Sequence, residues 1–174
     1  MIYADNASTT RPYIEALEAM KPFLFDEYAN ASQPYSFART AKKALKEARE
    51  NIADCIGALT EEIYFTSGGT ESDNWAIKGM AEFGDYRATI TSSIEHHAVL
   101  NACKTIERFG YPIAYLFPGN DGVVAPSALE KIITNKTKFV SVMAVNNEIG
   151  TIEPIADLAA IANQCGAFFH TDAV

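Results

Sequence analysis

Cysteine is scarce in this 174-residue chain, and the three present do not pair up. Cys55, Cys103 and Cys165 are odd in number and far apart, with no C-x-x-C spacing. That excludes a disulfide framework and a cysteine-based zinc site. Each lies in an apolar, helix-like context and is expected to be a small buried residue. Basic charge is also short: 14 Lys and Arg against 22 Asp and Glu give a net charge of −8, with no basic stripe for nucleic acid. Cations do gather from Arg39 to Arg49, but Glu47 and Glu50 are interleaved, the pattern of a solvated helix face. No apolar run reaches the ~18 residues of a membrane span, and Met1-Ile2-Tyr3-Ala4-Asp5 does not open a signal peptide. No membrane association is expected, and the cytoplasm is the expected location. What remains, 48% hydrophobic and 21% charged without low-complexity tracts, is a globular composition able to bury a core.

Punctuation and periodicity divide the chain. A short extended segment, Ile2-Tyr3-Ala4, runs into the polar loop Asp5-Asn6-Ala7-Ser8-Thr9-Thr10. Pro12 opens a helix to about Phe25, with Ile14, Leu17, Met20 and Leu24 on one face. An amphipathic helix from about Phe37 to Ile56 closes at Gly57. Strands are then predicted at Glu62–Thr66, Tyr86–Thr91, Pro112–Phe117, Lys138–Val145 and Ala167–Thr171. They alternate with helices at Thr70–Phe83, His96–Phe109, Pro126–Ile133 and Ile155–Cys165. Repeated β–α units of this length imply an α/β fold: a mostly parallel sheet with helices on both faces. Ligands in such sheets sit outside the carboxyl ends of the strands, so the loops after Thr66, Thr91, Val145 and Thr171 should share one rim.

The stretch Ile63 to Asn74 carries the strongest local signal. An apolar run ends in Ser67-Gly68-Gly69-Thr70, and a helix begins at once. Unpaired N–H groups and the helix dipole make such a joint a natural anion site, and the glycines allow close approach. The hydroxyls of Ser67 and Thr70 can add donors. The plainer alternative is a capped helix after a turn, with Thr70 or Ser72 as N-cap. The other rim loops are also unusual: Glu95-His96-His97, Asn146-Asn147-Glu148 and His170-Thr171-Asp172. Singly they read as a surface histidine pair, an Asx turn and a cap. Together, a phosphate cradle, an imidazole, an amide and a carboxylate suit a phosphorylated, flat, nitrogen-containing cofactor.

These segments resemble cysteine desulfurases, class V members of the fold-type I enzymes that use pyridoxal 5′-phosphate (PLP). The resemblance rests on Tyr3 to Thr10, Phe65 to Ser72, Glu95-His96-His97-Ala98-Val99, Val145 to Gly150 and His170-Thr171-Asp172-Ala173, in order along the whole chain. It implies that Gly69 and Thr70 bind the cofactor phosphate, and that His96 stacks on the pyridine ring and takes part in proton transfer. It further implies that Asn147, rather than Asn146, contacts the ring 3-oxygen, and that Asp172 pairs with the ring nitrogen. Residues 1–12 would be an N-terminal segment near the family's small domain, and 13–174 a truncated PLP-binding large domain. The expected substrate is L-cysteine, its sulfur passing through an enzyme persulfide to an acceptor scaffold protein for iron–sulfur or thiolation pathways. The family is homodimeric.

Family members are more than twice this length. Their Schiff-base lysine, persulfide cysteine and carboxylate-binding arginine correspond to positions beyond Val174, so a chain of this extent is expected to be inactive. Lys78 and Lys104 lie in no matching segment, and Lys78 is expected at the surface. The loop Tyr28 to Ser36 also departs from the family pattern at Ala29, Ala31, Gln33 and Tyr35. Another class V enzyme, an aminotransferase or a selenocysteine lyase, is therefore the alternative; a non-catalytic phosphate-binding module is the reading from outside enzymology.

Overall fold

In the computed structural model, which describes residues 2–82 and 86–174, the helices are α1 (Ile14–Phe25), α2 (Arg39–Ile56), α3 (Gly69–Glu82), α4 (His97–Arg108), α5 (Pro126–Ile132) and α6 (Ile155–Gln164). The strands are β1 (Ala88–Ser92), β2 (Ile113–Leu116), β3 (Thr137–Ser141) and β4 (Phe168–His170). Phe83, the expected end of the third helix, lies outside the described residues, as does Met1. The chain divides into two units, Met1–Phe65 and Thr66–Val174.

In the second unit the strands form one parallel sheet in the order β2-β1-β3-β4. Side chains alternate across it, so neighbours on one strand serve opposite cores. Val140 joins Ile90, Leu116, Leu129 and Leu158 in a cluster with α5 and α6. Phe139 joins Ile77, Val99, Cys103 and Ile106 in a cluster with α3 and α4. The sheet is therefore covered on both faces, as the alternation of elements implied.

The first unit is held differently. Gly57 ends α2 in the left-handed conformation (φ 68°) that glycine adopts without a Cβ penalty, its N–H bonding Ala53 O. Arg49 Nε donates to Ile63 O at 3.2 Å, and its guanidinium lies 5.1 Å from the Phe65 ring centroid. The interleaved charges of α2 form exposed i,i+4 pairs, Lys43–Glu47 at 3.5 Å and Lys46–Glu50 at 3.2 Å. That matches the solvated face read from their spacing. Helix α1 buries none of its residues.

Two expectations are corrected. No strand forms at Glu62–Thr66: residues 60–62 make a 3₁₀ turn, and the following residues are extended without a ladder partner among the described residues. The β-prone run there meets no adjacent strand, and propensity alone does not make a sheet. The cysteines are not uniformly buried either. Cys103 is buried, Cys165 half-buried and Cys55 exposed at the end of α2.

Candidate functional site

The strand order places β1 and β3 side by side, although the chain leaves them for helices on opposite faces. Such a switch point opens a crevice beyond the strand ends. Here the loops after β1 and β3 are bonded to one another. Glu95 Oε1 accepts the Met143 N–H at 2.8 Å, and Asn146 Nδ2 donates to Ile94 O at 2.7 Å. Pairing between the third and fourth strands continues past their ends, with Val142 N–H to His170 O at 3.1 Å and Ala144 N–H to Asp172 O at 2.8 Å. That extension carries Asp172 to the rim.

The glycine turn lies at the same rim. A Cβ built on Gly69 would come within 2.5 Å of Val174 Cγ2, so the first residue of α3 abuts the segment that bears Asp172. The turn is closed by its own side chains. Glu71, in the first turn of α3, reaches back to accept the Ser67 N–H at 2.6 Å, and that bond lowers its pKa. The Thr66 hydroxyl bonds Ser72 Oγ at 2.7 Å. Neither Thr70 nor Ser72 acts as N-cap to the helix. The N–H groups of Glu71 and Ser72 both turn to Gly68 O. Those of Gly69 and Thr70 have no acceptor among the described residues, leaving two adjacent donors at the positive end of a helix.

His96 is the N-cap of α4. Its Nδ1 accepts the Ala98 N–H at 3.2 Å, so the ring is held and Nε2 is left for a ligand. The two adjacent asparagines differ. Asn146 is buried and consumed by structure, its Oδ1 accepting the N–H groups of Glu148 (2.8 Å) and Ile149 (3.0 Å). Asn147 is exposed, with its amide uncommitted among the described residues. Asp172 is half-buried, and its Oδ1 accepts the Val174 N–H at 3.0 Å. Lys78 and Lys104 are exposed on α3 and α4.

Three further groups were not legible as site residues. Asp73, one turn into α3, is only 3% exposed. Its Oδ1 lies 3.6 Å from His170 Nε2, while His170 Nδ1 lies 2.9 Å from Ser141 Oγ. Burial and the nearby Asp172 charge push the Asp73 carboxyl up to about 6, against an opposing pull from His96. Burial likewise pushes Glu95 up to about 7, with smaller contributions from Asp172 and Asp73. Negative charge is thus concentrated beneath the rim, and each carboxyl makes the next harder to ionise. A cationic group at the rim would relieve that crowding. The available signal was the i,i+4 step from Asp73 to Ile77 and Ala81, which sets a carboxylate on the apolar face of a helix that packs on the sheet.

The profile of the family described as "Aminotransferase class-V" matches residues 2–174. The chain belongs to the class-V aminotransferase family. Among curated relatives, this class-V chain is 49% identical to "Cysteine desulfurase IscS" of Dictyoglomus turgidum, over 99% of the chain and 44% of that protein. It is 47% identical to the protein of the same name from Methanosarcina thermophila, over 99% of the chain and 43% of that protein. The chain therefore spans less than half the length of these relatives. Among solved structures, "NIFS-LIKE PROTEIN" superposes with a TM-score of 0.94 at 38% identity, covering 98% of this chain and 48% of that one. "SspA in complex with cysteine" also gives 0.94, at 42% identity, covering 98% and 50%. The resemblance to cysteine desulfurases thus holds in both sequence and fold. Among the described residues, no helix of this class-V chain is long and apolar enough to cross a membrane.

Proposed function

We propose that this chain forms the cofactor-binding part of a cytoplasmic, homodimeric PLP enzyme that takes sulfur from L-cysteine and delivers it to an acceptor scaffold protein. The observation that carries the reading is the meeting, at one rim, of two uncommitted N–H donors (Gly69, Thr70) with a carboxylate (Asp172). That donor set fits a ligand with a phosphate at one end and a basic ring nitrogen at the other. PLP, when bound, supplies an electron-accepting ring for bond breaking at the substrate amino acid.

The chain's own groups divide the work. Gly69 and Thr70 grip the phosphate through backbone N–H, with the Thr70 hydroxyl as a third donor. Asp172 holds a proton on the ring nitrogen by charge and hydrogen bond. His96, fixed through Nδ1, would stack its ring on the cofactor and would be the group that moves a proton there. Asn147 donates its amide to the ring 3-oxygen. Residues 1–12 act as a segment of the small domain, and 13–174 as the PLP-binding domain. The departures at Ala29, Ala31, Gln33 and Tyr35 favour a second reading, in which selenocysteine or another amino acid replaces cysteine.

The test titrates the purified chain with PLP while the visible spectrum is recorded. Saturable binding that inorganic phosphate displaces is expected, and Asp172→Asn should weaken it about tenfold, as for loss of one charge-assisted hydrogen bond. Binding that ignores both phosphate and Asp172→Asn would contradict the assignment. Alanine and sulfide released from L-cysteine by the whole enzyme identify the reaction; transamination without sulfide would reject desulfuration.

A further inference from the structure

Across the sheet, the register aligns Tyr115, Thr91, Ser141 and His170 in one row, two residues from the row containing Phe139. Side chains two residues apart on a strand share a face, so this row points toward α3 and α4. It is polar throughout and stands directly beneath the rim. Its His170 end meets a carboxylate of a covering helix: Asp73, through Nε2.

His170 is held from three sides. Ser141 Oγ contacts Nδ1 at 2.9 Å, Phe139 stacks on the ring at 5.6 Å between centroids, and Asp73 faces Nε2 at 3.6 Å. Asp172 follows two residues later, toward the same face. The titratable groups that act on this corner are Asp73 from α3, Glu95 and His96 from the loop before α4, and His170 and Asp172 from the fourth strand and its extension. None is a lysine or arginine. His170 is disfavoured as a cation by its burial, although Asp172 pulls the other way, so the ring does not neutralise the carboxylates.

Resting on the assignment of Asp172 to a ring nitrogen, we infer that Asp73 and His170 form a positioning pair beneath Asp172. His170, fixed by Ser141 and Phe139, orients the Asp73 carboxylate so that a second negative charge backs the one at the rim. Asp73 does not touch the cofactor. It acts through His170 and Asp172, raising the affinity of the bound ring nitrogen for its proton.

The experiment uses the full chain with pyridoxamine 5′-phosphate, whose ring nitrogen titrates without forming a covalent bond to protein. The ring-nitrogen transition of the bound probe is followed by absorbance against pH in the parent, Asp73→Asn and His170→Gln. In the parent the transition is expected at higher pH than for the free probe. Asp73→Asn should lower it by about one pH unit, a tenfold loss in proton affinity, and His170→Gln by less. Asp73→Asn preserves the shape of the side chain, so a merely structural role would leave the transition unmoved in correctly folded protein. An unmoved transition in both variants overturns the inference.

Failure of the probe to bind the parent would instead reject the cofactor assignment. The pair is then read without ligand, by carboxyl carbon-13 NMR of Asp73 in the parent and in Asp172→Asn. A midpoint near 6 that falls in the variant supports coupling of the two carboxylates, and an unchanged midpoint overturns it.

Discussion

The two halves of this chain use similar apolar material to opposite ends. From Thr66 onward, the large aliphatic side chains Ile77, Ile90, Leu129, Val140 and Leu158 are almost wholly enclosed. Before Thr66, the buried apolar residues are Ala38, Ala53 and Ile63, while Ile14, Leu24 and Phe25 are 63, 61 and 73% exposed. Both regions contain well-formed helices, so helix formation does not distinguish them. The difference is whether a helix has a sheet to lie on. Helices α3 to α6 close over the two faces of one parallel sheet, whereas α1 has an apolar stripe and nothing within its own unit that encloses it. Periodicity reports that a helix has a face to bury; it does not say where the cover comes from.

Substitutions sharpen that contrast most strongly. Leu158→Ala, at a fully enclosed position on α6, should cost about 2–5 kcal/mol in denaturant unfolding followed by circular dichroism. Leu17→Ala on α1, where the side chain is 46% exposed, should cost less than about 1 kcal/mol. Equal losses would show that α1 is buried in solution after all.

A pH series gives the next effect. The native Glu95 carboxyl titrates near 7, against 4.5 when unperturbed, so the native state keeps a proton that the unfolded chain has released. This group's stabilisation is complete below about pH 4.5 and is lost as pH rises to 7. Glu95→Gln retains an acceptor for the Met143 N–H without the charge. Its stability relative to the parent should rise by up to ~3 kcal/mol across that window. A constant difference between the two curves would refute the raised carboxyl.

The smallest effect concerns one thiol in each unit. Cys103 is wholly enclosed, with its thiol pushed up to about 12, whereas Cys55 is exposed. At pH 8, Cys55 should react with a maleimide at least ~100-fold faster, scored by mass spectrometry. Similar rates would mean that the sheet region opens as readily as α2.

Much of the second unit was legible because its elements are bounded by residues with strong local rules. Pro126 starts α5 where Pro suits a first turn, and His96 marks the start of α4 by capping it. The strand expected at Glu62–Thr66 misled because its composition satisfies a local preference while its pairing depends on residues far away. The site divides along the same line. His96, Asn147 and Asp172 sit in loops whose residue types already suggested chemistry. Asp73 was hidden because a carboxylate on a helix is ordinarily solvated, and its burial follows only from how α3 lies on the sheet. His170 had motif but no partner until the register set it beside Ser141.

The distance along the chain between Asp73 and His170 gives the site a history as well as a shape. The Ser67–Glu71 bond closes within a single helical turn and can form as soon as that turn does. The Asp73–His170 contact joins residues 97 positions apart and waits for every crossover of the parallel sheet. During synthesis the phosphate end of the rim is therefore made earlier than its charged floor. A chain that has gained its helices but not yet seated the fourth strand holds an anion cradle with no counterpart. The state of His170 is then a clock for the seating of the fourth strand, readable from one imidazole signal.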